Sequence, residues 1–84
     1  MPEIVIYTTP FCPYCLAAKR MLKKKEASFT EIDVSDPQKR EDMIAKANGK
    51  YTVPQIFIGK RHIGGFDDLS ELDALGELEP LLAK

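Results

Sequence analysis

The sequence predicts an α/β fold of one domain over residues 1–84, a four-stranded mixed sheet flanked by helices in the order β-α-β-α-β-β-α-α. Three observations carry this. A continuous apolar run, Ile4-Val5-Ile6-Tyr7, precedes a stretch with helical apolar spacing. An alternating segment, Phe29 to Val34, precedes a second helix start. Then Gln55-Ile56-Phe57-Ile58 and Arg61-His62-Ile63-Gly64 flank Gly59-Lys60, the pattern of a β-hairpin.

Each element has its own signals. Ile4 to Tyr7 suits a strand buried on both faces. A helix is expected from about Pro13 to Lys25, since Tyr14, Ala17, Ala18, Met21 and Leu22 form one apolar stripe. Proline at its first position is favoured there, because the missing N–H is not needed. In the next strand Thr30, Ile32 and Val34 share one face, and Glu31 and Asp33 the other. Ser35-Asp36-Pro37-Gln38 reads as an S-x-x-Q capping box that starts a helix to about Ala47, closed by Gly49. Beyond the hairpin Gly64-Gly65 breaks the chain. Asp67 or Asp68 is expected to cap a helix through about Leu75, with Leu69, Leu72 and Leu75 inside and Gly76 ending it. Leu78, Leu81 and Leu82 give a short last helix. The first β-α-β unit is expected to be parallel and right-handed.

Composition narrows the function. The chain has 84 residues, 44% hydrophobic and 30% charged, which suits a globular domain. A net charge of −1 argues against nucleic acid as a partner. No stretch has the order of a signal peptide or the length of a membrane span, so the expectation is a cytoplasmic protein away from membranes. Charge is uneven along the chain: residues 1–63 carry a net +4 and residues 64–84 a net −5. Such a dipolar surface can orient client proteins.

Cys12-Pro13-Tyr14-Cys15 carries the chemistry. Cys12 and Cys15 are the two cysteines of the chain. They open a helix directly after a buried strand, the setting of a thioredoxin-like redox pair. At the N-terminus of a helix, free N–H groups and the helix dipole stabilise an anion, here a thiolate at Cys12. Cys15, one turn in and in line with Ala18, Lys19 and Leu22, is expected to be more buried and less acidic. Cys12 therefore attacks, and Cys15 resolves the mixed disulfide. A structural disulfide would close a four-residue loop and contribute only about 2 kcal/mol. Zinc normally takes four ligands, and two cysteines with the lone His62 fall short. The basic run Lys23 to Lys25 reads as a solvated helix face.

Three motifs together resemble the glutaredoxin family, in its dithiol class: Cys12-Pro13-Tyr14-Cys15, Thr52-Val53-Pro54-Gln55-Ile56-Phe57-Ile58 and Gly64-Gly65-Phe66-Asp67-Asp68-Leu69. The resemblance covers essentially the whole chain. It implies a thioredoxin fold and glutathione as the reducing co-substrate, with no tightly bound cofactor, serving disulfide or glutathionylated client proteins. No metal is expected, and a monomer is expected because no exposed apolar stripe is left once the core is assigned. The resemblance also implies a cis bond before Pro54, against the general trans preference of X-Pro bonds. Val53 would then pair with the cysteinyl part of glutathione through its backbone. The glutathione site implied by the family comprises Thr9, Tyr14, Thr52, Val53, Pro54, Gly65, Phe66, Asp67 and Asp68. Asp67 or Asp68 can meet the γ-glutamyl ammonium, and the helix they open can hold its carboxylate. Gly64 and Gly65 permit close backbone approach. Tyr14 suits both core packing and the glutathione groove.

Two positions depart from the family pattern. Thr9 stands where many members have a lysine for the glycine carboxylate of glutathione, so a charge-assisted bond is lost, worth about 1–2 kcal/mol. Arg40 or Gln38 offers compensation. Phe66 stands where some relatives have a third cysteine. Two other functions remain open. One is a thioredoxin-like carrier fed by a flavin reductase, disfavoured because thioredoxins usually place Gly-Pro between the cysteines. The other is an iron–sulfur carrier dimer, disfavoured by Pro13 and by the competing thiol of Cys15.

Overall fold

The computed structural model describes residues 2–83. Its elements are β1 (Ile4–Thr8), α1 (Pro13–Lys24), β2 (Thr30–Asp33), α2 (Pro37–Lys46), β3 (Gln55–Ile58), β4 (Arg61–Gly64), α3 (Phe66–Ala74) and α4 (Leu78–Ala83). This is the order the sequence predicts. The sheet runs β2-β1-β3-β4. β1 pairs with β2 in parallel and with β3 in antiparallel fashion, and β3 and β4 form the antiparallel hairpin.

The period of two along β1 divides the core between the two sheet faces. Ile4 and Ile6 join Ala18 and Leu22 of α1, Ile56 and Ile58 of β3, Leu69 of α3, and Leu78 and Leu82 of α4. Tyr7 points the other way, to Val34 and Met43, with Val5, Ile32 and Phe57 packed beside them. Helices α1, α3 and α4 thus cover one face and α2 the other. Each fully buried leucine or isoleucine contributes about 1.5–3 kcal/mol relative to exposure. Val34 lies just past β2 and is fixed by its N–H bond to the Thr8 carbonyl at 2.8 Å.

Four expectations are corrected. Asp36, not Ser35, caps α2, and its carboxylate accepts the Gln38 N–H at 2.9 Å. The Ser35 N–H is bonded instead to Asp33 Oδ1 at 2.8 Å, so two Asx turns follow one another and no S-x-x-Q box forms. Helix α3 starts earlier than predicted. Gly65 occupies its N-cap, and Asp67 and Asp68 lie within the first turn. Leu75 is 62% exposed, because α3 stops at Ala74 and Gly76, at φ +73°, turns the chain away. Leu78 and Leu82 take the core positions it leaves. Finally, the buried stripe of α1 is Cys15, Ala18 and Leu22. Tyr14 is 62% exposed and is no part of it.

The basic run divides too. Lys23 and Lys24 are exposed. Lys25 joins α1 to the acidic C-terminal helices, with Asp73 Oδ1 at 2.7 Å and Glu79 Oε1 at 3.0 Å.

Candidate active site

The chain leaves β1 through Thr9-Pro10-Phe11 and enters α1 at Cys12. Cys12 is the N-cap of α1, with extended backbone at φ −101° and ψ 110°. Pro13 follows at the first helical position. Here the thiol replaces the usual capping hydroxyl or carboxylate: Cys12 Sγ accepts the Cys15 N–H at 3.2 Å. That bond satisfies one of the N–H groups that the start of a helix leaves without a partner. Cys12 is half-buried. Cys15, also a free thiol, is 1% exposed. Burial pushes its thiol up to about 12, and the hydrogen bond with Cys12 adds to this. A backbone bond at Thr9 and the nearby Lys19 charge oppose the shift without cancelling it. The two cysteines are therefore distinct, one accessible and served by the helix N-terminus, one buried and held protonated.

Eight predicted residues meet in one groove. Tyr14 lines it from α1, Thr52, Val53 and Pro54 from the loop before β3, and Gly65, Phe66, Asp67 and Asp68 from the start of α3. The Val53–Pro54 bond is cis. Asp68 Oδ2 accepts the Gly65 N–H at 3.0 Å, which fixes the turn into α3. The close approach expected at the paired glycines occurs at Gly64, where φ is +114° and an added Cβ would run into the Asp68 carboxyl. Gly65 has ordinary room. Thr9 lies elsewhere. It lines a second cavity, with Cys12, Cys15, Leu16, Lys19 and Glu31, rather than the groove of Thr52 and Asp68. Arg40 is engaged in holding the groove loop, donating to the Tyr51 carbonyl at 2.8 Å.

Two groove residues escaped the sequence reading. Lys50 adds a cation to the groove wall. A surface lysine in a loop carries no signal of its own. Gln55 is 1% exposed, and its amide donates to the Thr52 carbonyl at 3.0 Å and to Thr52 Oγ1 at 3.2 Å. Its oxygen faces His62 Nε2 at 2.7 Å. A polar residue opening an otherwise apolar strand was the available signal for Gln55. His62 lies half-buried on the hairpin, stacked on Phe57 with ring centroids 4.8 Å apart.

A mixed four-stranded sheet that presents a dithiol at the N-terminus of its first helix, with Tyr14 between the cysteines facing a cis-proline loop, defines a thiol–disulfide oxidoreductase of the thioredoxin-like fold. The glutaredoxin family model matches residues 4–63. Glutaredoxin 3 of Escherichia coli K12 is 53% identical over 98% of this chain and 99% of its own length. A glutaredoxin of Pseudomonas aeruginosa is 49% identical over 99% of each chain. Among solved structures, a glutaredoxin from Brucella melitensis superposes with a TM-score of 0.85 at 49% identity, covering 98% of this chain and 89% of that one. A buckwheat glutaredoxin–glutathione complex superposes with a TM-score of 0.89 at 28% identity, covering 98% and 77%. The chain belongs to the glutaredoxin family and is a glutathione-dependent thiol–disulfide oxidoreductase.

Proposed function

We propose that Cys12 is the attacking thiolate and Cys15 the resolving thiol, in two routes. In the first, Cys12 attacks the glutathione sulfur of a mixed disulfide. The client leaves as a thiol, and the glutathione stays bonded to Cys12. A second glutathione takes it off as glutathione disulfide, regenerating the Cys12 thiolate. In the second, Cys12 attacks a protein disulfide, and Cys15 displaces the client by forming the Cys12–Cys15 disulfide. Two glutathiones then reduce that bond. The observation that carries this division is the asymmetry of the pair: a capped, accessible Cys12 and a buried Cys15.

Glutathione takes the groove. Its cysteinyl part lies along Val53, beside Thr52 and Pro54. Its ammonium meets Asp67 and Asp68, its γ-glutamyl carboxylate the N-terminus of α3 near Gly65 and Phe66, and Tyr14 covers the backbone. Lys50 supplies the positive charge for the glycine carboxylate that Thr9 lacks. Thr9, in the cavity that Cys12 lines, adds a neutral hydroxyl. The protein works as a monomer of one domain in the cytoplasm, where the glutathione pool stays reduced. It needs no tightly held cofactor, since glutathione comes and goes as co-substrate.

The test is turnover of a small glutathione mixed disulfide and of a protein disulfide, coupled through NADPH. Cys12→Ser is expected to abolish both, and Cys15→Ser to keep the first and lose the second. Loss of both in Cys15→Ser overturns the division of roles. Turnover fed by thioredoxin reductase alone overturns the glutathione seat.

A further inference from the structure

Phe11 is fully exposed (100%) and adopts φ 61°. Both facts are unfavourable for a bulky aromatic. The left-handed region is a genuine outlier for such a side chain, and full exposure returns no burial to folding. Strain of this kind gathers at sites where the surrounding structure uses it. Here it sits one residue before Cys12. Phe11 lines the second cavity together with Leu16, itself 47% exposed, and with Cys12 and Cys15. The cavity measures about 340 Å³, room for an apolar side chain. Lys19 and Glu31, paired at 2.9 Å, and Asp33 give it a charged rim. An aromatic anchor with a polar rim is the layout of a protein-binding centre. This cavity and the Val53 groove share no lining residue, and Cys12 belongs to the cavity.

We propose that Phe11 and Leu16 form a seat for an apolar side chain next to the reactive cysteine of a client protein, so that disulfides flanked by an apolar residue are reduced in preference. The occupant is an extended client segment bonded to Cys12 as the mixed disulfide of the dithiol route. In that intermediate the client sulfur is joined to Cys12 Sγ, and its former partner has left as a thiol. One flank of the segment passes along Val53, and the other enters the cavity. Continuity with the reacting sulfur argues for a client here and against a second copy of this chain. The inference rests on the roles proposed above for Cys12 and Cys15.

The experiment uses two peptide disulfides that differ only in the residue beside the cysteine, leucine or serine. The wild-type protein is expected to favour the leucine peptide by about tenfold in kcat/KM, the scale of one buried apolar side chain. Phe11→Ser is expected to erase that preference, and Leu16→Ser to reduce it. Both variants are expected to keep turnover of a small glutathione mixed disulfide, which has no flanking residues to seat. Equal rates on the two peptides in the wild type, a preference that survives both substitutions, or loss of the small-substrate activity in both overturns the proposal. Cys15→Ser separates the two readings. If it turns over the peptides at the wild-type rate, the dithiol roles fail. If it is inactive on them and the wild type shows no preference, the seat alone fails.

Discussion

His62 Nε2 and Gln55 Oε1 lie 2.7 Å apart, and through this bond a hairpin side chain fixes one wall of the Val53 groove. Gln55 spends both its amide hydrogens on Thr52, so its oxygen must accept, and the proton must sit on His62 Nε2. The stack on Phe57 holds the imidazole in place, and Phe57 in turn meets the Tyr7 ring edge-on at 5.7 Å. His62→Phe keeps the stack and leaves the buried Gln55 oxygen without a partner. The expected cost is about 1–3 kcal/mol. For a domain this size each kcal/mol moves Tm by about 4–8 °C, which thermal unfolding reads directly. Because Thr52 lines the groove, KM for glutathione is expected to rise while kcat holds. A fall in kcat at unchanged KM would show that the pair does not position the groove.

The same histidine gives a pH dependence with a definite sign. Burial holds its imidazole below the ordinary value, the Lys50 charge adds to this, and Asp68 opposes it. The folded state therefore binds fewer protons than the unfolded one at mildly acid pH. Its contribution to stability is fully present above the ordinary value of about 6.5, and is lost as pH falls through the lower folded value. Urea unfolding is expected to show stability falling from pH 7 toward pH 5 in the wild type, with a shallower fall in His62→Phe. Identical slopes would mean that His62 titrates normally.

Cys15 is expected to resist chemistry that Cys12 undergoes. Its thiol is pushed up to about 12, so at pH 8 its thiolate fraction is about one in ten thousand. Brief treatment of the reduced protein with iodoacetamide, followed by peptide mass spectrometry, is expected to label Cys12 alone. Both cysteines label once urea unfolds the chain. Equal labelling of the folded protein would remove the asymmetry on which the two roles depend.

The fold was legible because its signals were local and repeated. The apolar run of β1, the spacing around Ala18 and Leu22, and Gly59-Lys60 between two short strands each name an element, and all eight appear in the predicted order. The failures came where two residues compete for one local role. Ser35 and Asp36 both suit an N-cap, and the choice turned on a second Asx turn at Asp33 that composition does not display. Asp67 and Asp68 read as caps, but Gly65 takes that place because Asp68 reaches back to its N–H from inside the helix. Tyr14 and Leu75 have apolar spacing yet face outward, since periodicity locates a stripe only to within a residue or so of its edge. In the site, the motif residues were legible by type and order. The packing place of His62 on the hairpin was legible too, and Gln55 showed as a polar residue opening an apolar strand, but Lys50 was not, because its part depends on which loop the fold carries past it. The position of Thr9, in the cavity with Cys12 and not in the groove, has the same origin.

Gly64 and Asp68 offer a test in which two substitutions should not add. Gly64 has φ +114°, where a side chain is strained whatever the space, and its added Cβ would come within 2.9 Å of Asp68 Cγ. Gly64→Ala therefore brings two costs, a backbone cost of about 1–2 kcal/mol and a displacement of the carboxylate that holds the Gly65 N–H. Asp68→Ala brings only the loss of that bond, about 1 kcal/mol. In the double variant the carboxylate is already gone, so Gly64→Ala then costs its backbone strain alone. Denaturant unfolding of the four proteins is expected to give a double variant more stable than the sum of the single effects predicts, by about 0.5–3 kcal/mol. Glutathione binding supplies an independent readout. Gly64→Ala is expected to raise KM for glutathione toward that of Asp68→Ala, since both remove the carboxylate from its place in the groove. Strict additivity, or a Gly64→Ala variant with unchanged KM, would show that the glycine serves the turn and not the acidic residue behind it.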